Sequence, residues 1–247
     1  MTDNSANNKR IAINTILLYI RMLFTMVISL YTSRVILQVL GADDFGIYNV
    51  VGGVVVLFSF LTNAMTSSTQ RFLNYNFGLK NESKVSHIFN VSILTHFTIF
   101  LLVLLLSETV GLWFVMTQLN IPVGRETATM WVYQMSVVTT LIGIMVIPYR
   151  ASIIAAERMS IFAYVSILEV ALKLVVVLVL SYMSFDNLVM YSILLTLVAL
   201  LNFFIYQIEC RRKLSFTKYH FVWDKSQYKE MMSFSCWYLF GGMAMVG

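Results

Sequence analysis

Charged residues are scarce in this sequence. Asp, Glu, Lys and Arg make up 12% of its 247 residues and hydrophobic residues make up 59%, whereas a soluble domain typically carries about 25% charged residues. So few charges cannot solvate the surface of a globular protein of this size, and the apolar residues must therefore face another apolar medium. The scarcity excludes an ordinary soluble domain and favours a protein surrounded by membrane lipids.

Proline, glycine and cysteine are also few. There are two prolines and eleven glycines, so long uninterrupted helices are possible. The two cysteines, Cys210 and Cys236, form no CxxC motif and do not cluster with histidine, which argues against a disulfide framework and a cysteine-based metal site. We expect no metal and no other cofactor.

Catalytic and nucleotide-binding motifs are missing as well. The sequence has no P-loop, no HExxH and no GxSxG motif, and Gly52-Gly53 lacks the spacing of a dinucleotide-binding loop. The net charge of +5 does not indicate nucleic-acid binding, because the basic residues sit in short patches between apolar runs. We therefore expect neither an enzyme nor a nucleic-acid-binding protein.

Six apolar runs are long enough to cross a bilayer, whose hydrocarbon core takes about 20 residues of helix. They are too continuous for the alternating strands of a membrane barrel. They cover residues 11–33, 47–68, 88–108, 128–147, 161–183 and 188–208. A seventh run opens near Met231 and reaches Gly247. The sequence thus predicts an all-α membrane protein with a six-transmembrane-helix lobe at 1–210, a basic linker at 211–230 and a truncated seventh helix at 231–247.

The loops between these runs differ strongly in charge. Loops on the side of the N-terminus hold 13 of the 17 basic residues. Among basic residues the opposite loops hold only Arg125, with Arg34 at their border, and their acids are Asp43, Asp44, Glu126 and Asp186. Because basic residues concentrate in cytoplasmic loops, the sequence predicts a cytoplasmic N-terminus and a cytoplasmic linker.

The first run carries a single polar stripe. Asn14, Arg21, Thr25, Ser29 and Thr32 are spaced by 7, 4, 4 and 3 residues, which puts them on one face of a helix. Arg21 lies ten residues into the run, roughly 15 Å at 1.5 Å per residue, and this count predicts a position near the bilayer midplane. A charge at that depth usually faces a hydrated interior.

Two further runs carry polar residues at helical spacing. The second run includes Asn63 between Ser59 and Thr66. In the fifth run Glu169 and Lys173 are four residues apart, in the order that favours an ion pair within a helix. Two interpretations stay open. These groups line a cavity for an anion, or they hold helices together, with Glu169 and Lys173 neutralising each other.

Short motifs near the ends of the runs occur in a recognisable order. The most specific is Leu40-Gly41 followed by Phe45-Gly46-x-Tyr48, and it precedes Thr69-Gln70-Arg71-Phe72, Pro148-Tyr149 and Glu157-Arg158-Met159. Over nearly the whole chain, this pattern resembles the bacterial polysaccharide flippases that export O-antigen and capsule precursors. They belong to the superfamily that also contains the multidrug and toxic-compound extrusion (MATE) transporters.

The resemblance implies a protein of two six-helix lobes around a central cavity. This chain would supply the N-terminal lobe, with a missing C-terminal lobe as its partner, so we expect residues 1–247 alone to insert without transporting. The implied activity is the translocation of undecaprenyl-pyrophosphate-linked oligosaccharide or polysaccharide precursors across the bacterial cytoplasmic (inner) membrane, coupled to an ion gradient.

An anionic lipid-linked glycan needs cations along its passage. Arginine binds phosphate oxygens through two parallel hydrogen bonds, while lysine acts more as a point charge. The candidate cavity residues are Arg21, Lys173, Glu169, Asn14, Thr25, Ser29 and Asn63.

Two other functions stay open. A multidrug H⁺ or Na⁺ antiporter of the same superfamily would need acids in its cavity, whereas the buried cations of this sequence equal or outnumber its buried acids. A membrane assembly subunit without transport would have a fully apolar interior, against which the two polar stripes argue. The sequence indicates neither the glycan, nor the coupling ion, nor the oligomeric state.

The topology is testable by labelling single cysteines from outside intact cells. With the N-terminus in the cytoplasm, we expect a cysteine at position 125 or 186 to react and one at position 218 to stay unlabelled. Strong labelling at 218 with none at 125 or 186 would contradict the layout.

Overall fold

The computed structural model describes the backbone of residues 2–56, 59–183 and 185–246, and the side chains of residues 12–55, 65–183, 185–234 and 237. Within these residues the chain is helical and contains no strand, which confirms the all-α fold. The α-helices are α1 (Thr2–Val56), α2 (Ser59–Gly78), α3 (Glu82–Leu106), α4 (Leu112–Gln118), α5 (Glu126–Ala155), α6 (Met159–Leu180), α7 (Asn187–Lys213) and α8 (Lys225–Val246).

Helix α1 occupies the loop that was predicted between the first two runs. Gly41 interrupts it with φ of 77° and ψ of 172°, a conformation that only glycine adopts without strain. The first predicted span therefore extends to Leu40, and the second is divided between the end of α1 and the start of α2. Among the described residues, five helices are long and apolar enough to cross a membrane, and the first of them, Ala12–Val55, includes both segments.

Several helices continue beyond their predicted ends. A π-helix at Ser107–Gly111 joins α3 to α4, so that the third span runs on to Gln118. Helix α5 passes through Pro148 to Ala155, and α7 continues to Lys213. The predicted ends fell short because hydropathy reports the thickness of the hydrocarbon core, whereas a helix may extend into the headgroup layer.

Helix α5 is at the centre of the structure and contacts α1, α2, α3, α6 and α7. Its Tyr133 is fully buried and donates a 2.6 Å hydrogen bond to the Ser107 carbonyl at the start of the π-helix. A Cβ at Gly111 would collide with the Tyr133 hydroxyl. Glycine at this position thus lets α5 approach the π-helix closely.

The structure has two chemically different ends. At the basic end, the turns 78–82 and 155–159 lie near the segment 213–225, as the contact between Phe77 and Phe216 shows. At the acidic end, Arg125 joins two elements that are distant in sequence. Its Nε donates to Asp44 at 2.8 Å and its Nη1 to Asp186 at 2.5 Å.

Arg125 and its two partners form the acidic-end clamp. Asp44 follows the interruption in α1, Arg125 precedes α5, and Asp186 is the N-cap of α7, where it also accepts from the Leu188 and Val189 N–H groups. Burial alone would raise the pKa of the Asp186 carboxyl, but Arg125 and these N–H groups together lower it below its ordinary 3.8. The clamp thereby fixes the spacing of three helices.

Replacing Arg125 should destabilise the fold. Hydrogen bonds to charged groups contribute about 1–3 kcal/mol each, but these groups are partly exposed and screened, so we expect a loss of about 1–2 kcal/mol for Arg125→Ala. That corresponds to a fall of roughly 2–8 °C in the unfolding temperature in detergent. The unfolding temperature of Arg125→Lys should lie between those of the wild type and Arg125→Ala, because lysine keeps the charge but cannot bind both carboxylates through a planar fork.

Lys84→Ala, which removes an exposed lysine at the basic end, is the control and should leave the unfolding temperature unchanged. A lowered folded-state pKa stabilises the protein above the unfolded pKa, and this contribution is lost as the pH falls through the folded value. The difference between wild type and Arg125→Ala should therefore be full at neutral pH and shrink below about pH 3.8. A difference that is the same at all pH values would rule out the clamp as its source.

Candidate functional site

The contact between α1 and α6 brings the predicted polar residues of both helices together. The Arg21 guanidinium lies over the Phe162 ring, 4.5 Å from its centroid. Eleven residues further along each helix, Thr32 and Lys173 line one cavity. Because equal steps along both helices lead from one contact to the next, α1 and α6 run parallel. That is the relation expected of predicted spans one and five, which start at the same face of the membrane.

The polar stripe of α1 faces the protein. Most residues between its members are exposed, whereas four members are partly buried: Asn14, Arg21, Thr25 and Thr32. The Thr25 hydroxyl donates to the Met22 carbonyl at 3.0 Å and is therefore satisfied within its own helix. Ser29 is exposed but lines the same cavity as Lys173. The side chain of Asn63 lies outside the described residues.

Arg21 lines an open cavity of about 500 Å³ between α1, α2, α5 and α6. Its Nε is buried and has no hydrogen-bond partner among the described residues. The cavity walls are apolar or neutral, with no carboxylate among them: Thr15, Leu18, Tyr19, Met22, Gln70, Ile154, Met159 and Phe162. The cavity therefore presents a positive charge that no acid in its walls neutralises.

The level of Arg21 differs from the depth that the residue count predicted. Phe162 is in the first turn of α6, and Ile154 and Met159 flank the turn between α5 and α6. These neighbours place Arg21 near the basic end of the bundle, rather than at its middle. The count failed because α1 begins at Thr2, so the start of the apolar run does not mark where the bundle begins. Lys173 lies about 16 Å further along, at 1.5 Å per residue.

Lys173 is held in an ion pair, as its spacing from Glu169 suggested. Lys173 Nζ lies 2.6 Å from Glu169 Oε1, and the other carboxylate oxygen accepts from Asn202 Nδ2 of α7 at 2.8 Å. Both oxygens of the only acid in α6 are thus engaged, one by a cation and one by an amide. Glu169 and Lys173 thus neutralise each other's charge, and the hydrogen bond from Asn202 joins the pair to α7.

A smaller cavity of about 250 Å³ lies beside Lys173. Polar groups from α1 and α7 line it, among them Thr32, Asn49, Tyr48 and Tyr191. The rings of Tyr48 and Tyr191 meet edge to face, with centroids 4.9 Å apart. The two cavities have no lining residue in common, so Arg21 and Lys173 belong to separate sites along the same helix contact.

Sequence reasoning missed two polar residues of this region. Arg150 was assigned to a loop, because the predicted fourth span ended before Pro148, but it lies on α5 and its Nη2 donates to Thr66 Oγ1 at 3.4 Å. Asn202 was missed because a lone asparagine in an apolar run carries no signal of its partner.

Neither a family model nor a curated protein sequence matches this chain. Its structure is similar to the outward-facing conformation of a multidrug resistance MATE family transporter of the MOP superfamily, with a TM-score of 0.76 at 14% sequence identity. The match covers 96% of this chain and 54% of that one. The fold is that of one lobe of a MATE-like transporter. The chain spans about half the length of that protein.

A double-mutant cycle can measure the energetic coupling between Glu169 and Lys173. Removing either charge leaves its partner poorly compensated in an apolar bundle, whereas removing both leaves two neutral groups. We expect Glu169→Gln and Lys173→Gln each to lower the unfolding temperature and the double variant to lower it less than their sum. The pair is partly exposed, so the coupling energy should be about 1 kcal/mol.

Glu209 and Lys213 give a matched control, since they have the same spacing on α7 but form no ion pair among the described residues. The same cycle at Glu209 and Lys213 should be additive. Equal coupling in the two cycles would show that spacing alone, and not the ion pair, produces the effect.

Proposed function

We propose that this lobe is part of a transporter that moves a lipid-linked, pyrophosphate-bearing oligosaccharide across the bacterial cytoplasmic membrane, with the N-terminus in the cytoplasm. The observation that carries the proposal is the Arg21 cavity, in which a guanidinium faces open space and no carboxylate lines the walls. A cation without a counter-ion is costly in an apolar bundle. An anionic ligand would supply the missing charge.

The position of Arg21 suits this substrate. The cavity lies near the basic end, which the charge bias assigns to the cytoplasm, and a lipid-linked pyrophosphate approaches from the headgroup layer of that leaflet. The planar guanidinium offers donors in the geometry that phosphate oxygens accept. The apolar wall, including Leu18, Met22 and Ile154, would accommodate the adjoining lipid chain. The driving ion gradient is part of the same proposal.

A multidrug antiporter is the second candidate, because the structurally similar transporter is described as a multidrug resistance protein. A cationic drug needs a carboxylate. Glu169 is already engaged by Lys173 and Asn202. At the acidic end, however, Asp43 lines a cavity of about 510 Å³ together with Gln118 and Asn120. This cavity is the place where the chain would bind a cation.

Arg21→Ala in the full-length protein should abolish surface glycan in a strain that depends on this transporter, with the protein still present in the membrane. Arg21→Lys should retain part of the activity, because the charge remains while the two-bond contact with phosphate is lost. Surface glycan, measured by immunoblot and normalised to membrane protein, gives the result.

Arg34→Ala, an exposed arginine on the same helix, should transport normally. Normal surface glycan with Arg21→Ala would end the proposal for Arg21. Lys173 is expected to contribute as well, so the double variant Glu169→Gln, Lys173→Gln should fail, and normal transport by it would reduce the pair to a structural role. Drug efflux that is lost with Asp43→Asn and unaffected by Arg21→Ala would favour the antiporter instead.

A further inference from the structure

The end of α7, the start of α8 and the chain between them carry a dense positive charge. Residues 211–229, here called the basic segment, contain six exposed cations: Arg211, Arg212, Lys213, Lys218, Lys225 and Lys229. Asp224 is the only acid among these nineteen residues. The cavities between α1 and α6 make no use of this charge, because none of their lining residues comes from the basic segment.

The basic segment is fixed to the lobe, and is not a free linker. Leu214 and Thr217 are buried, and Phe216 packs edge to face against Phe77 and Phe89. The backbone N–H of His220 donates to Asn90 Oδ1 of α3 at 2.7 Å. These contacts hold the segment against α2 and α3, so its charges are presented in a defined orientation.

Two further contacts hold the end of the segment. Asp224 caps α8 through the N–H groups of Ser226 and Gln227, at 2.9 and 3.0 Å. Its carboxylate also lies 3.0 Å from His87 Nε2 of α3. The segment's one acid is therefore engaged by hydrogen-bond donors, and among the described residues it forms no ion pair with the lysines and arginines of the segment.

Three aromatic side chains between these anchors are largely exposed, although the Trp223 ring also packs on Tyr228 of α8, with 5.7 Å between the centroids. Tyr219, Phe221 and Trp223 are 51%, 72% and 61% exposed. They are two residues apart, the spacing that places side chains on one side of an extended chain. Exposed aromatic residues beside lysine and arginine are typical of the membrane–water interface, where rings lie at the headgroup level and cations reach the phosphates.

The segment begins and ends near the outer edge of the headgroup layer. The apolar run of α7 ends at 208, and Lys213 follows five residues later, about 8 Å along the helix axis. The apolar run of α8 starts near Met231, six residues after Lys225, or about 9 Å. The headgroup layer extends about 5–8 Å beyond the hydrocarbon core on each side. Both ends of the connection between α7 and α8 are therefore close to the lipid phosphates.

We propose that the basic segment binds the headgroups of anionic phospholipids, with its cations on the phosphates and its three exposed aromatic rings inserted at the interface. The alternative is that these cations only set the topology of the chain in the membrane. That role would require neither the exposed aromatic rings nor the contacts that hold the segment to α3. Because the segment connects α7 to α8, anionic lipid at this surface would hold the junction between them at the bilayer surface. The inference does not depend on the identity of the transported substrate.

The full-length protein can be tested in nanodiscs that contain equal amounts of phosphatidylglycerol and phosphatidylcholine. Native mass spectrometry after release should show preferential retention of phosphatidylglycerol by the wild type. The triple variant Arg211→Gln, Arg212→Gln, Lys218→Gln should lose that preference by roughly fivefold for each removed charge, the typical contribution of a basic residue near an anionic surface. The control variant Lys80→Gln, Lys84→Gln removes two exposed cations from the same end and should retain it.

Trp223 gives an independent readout of the aromatic side. In a variant whose other tryptophans are replaced by phenylalanine, brominated lipids should quench Trp223 fluorescence strongly, and more so when the brominated lipid is anionic. Equal retention of the two lipids by the wild type would overturn the proposal. So would an equal loss in the control variant, or quenching of Trp223 by aqueous iodide but not by brominated lipid. Binding of RNA or an acidic protein without a preference for anionic lipid would assign the surface to another partner, and would overturn it as well.

Discussion

No water is available in a bilayer to pair with a polar side chain, and the arrangement of this lobe follows from that constraint. Each charge on its apolar helices is handled in one of a few ways. Glu169 and Lys173 neutralise each other and are joined to α7 by Asn202. Arg21 is laid over an aromatic ring and left open to a cavity. Arg125 is at the end of the bundle, where two carboxylates share it.

These solutions differ in what they leave available. In the pair of Glu169 and Lys173 the two charges neutralise each other, and both carboxylate oxygens have partners within the protein. Arg21 retains most of its electrostatic potential, because the Phe162 ring contributes only a weak attraction, about 0.5–2 kcal/mol, and none of the described residues accepts a hydrogen bond from its Nε. The two cations therefore have unequal roles, although the sequence presented them as equivalent. This contrast is the physical reason for proposing the Arg21 cavity, in preference to the Lys173 cavity, as the place where an anion binds.

The fold was largely predictable from the sequence, and the contacts were predictable only where they are local. Long apolar runs and the absence of alternation identified the helices. The four-residue spacing identified the pair of Glu169 and Lys173. The acidic-end clamp could not be predicted. Arg125 is 81 and 61 residues from Asp44 and Asp186 along the chain, and no pattern in a single sequence indicates contacts over such separations. The level of Arg21 was misjudged because hydropathy locates the hydrocarbon core and carries no information about how far a helix continues past it.

Because α1 and α6 are parallel, displacing α1 along α6 has different electrostatic consequences in the two directions. Suppose that α1 slides along α6 by one turn, about 5.4 Å. Toward the start of α6, Arg21 would lose the ring of Phe162 and meet Arg158, four residues back, a cation that repels it. Toward the other end it would meet Ser166 and approach the carboxylate of Glu169. The group nearest Arg21 would thus be a cation in one direction and a carboxylate in the other, so a single guanidinium makes the two displacements electrostatically unequal.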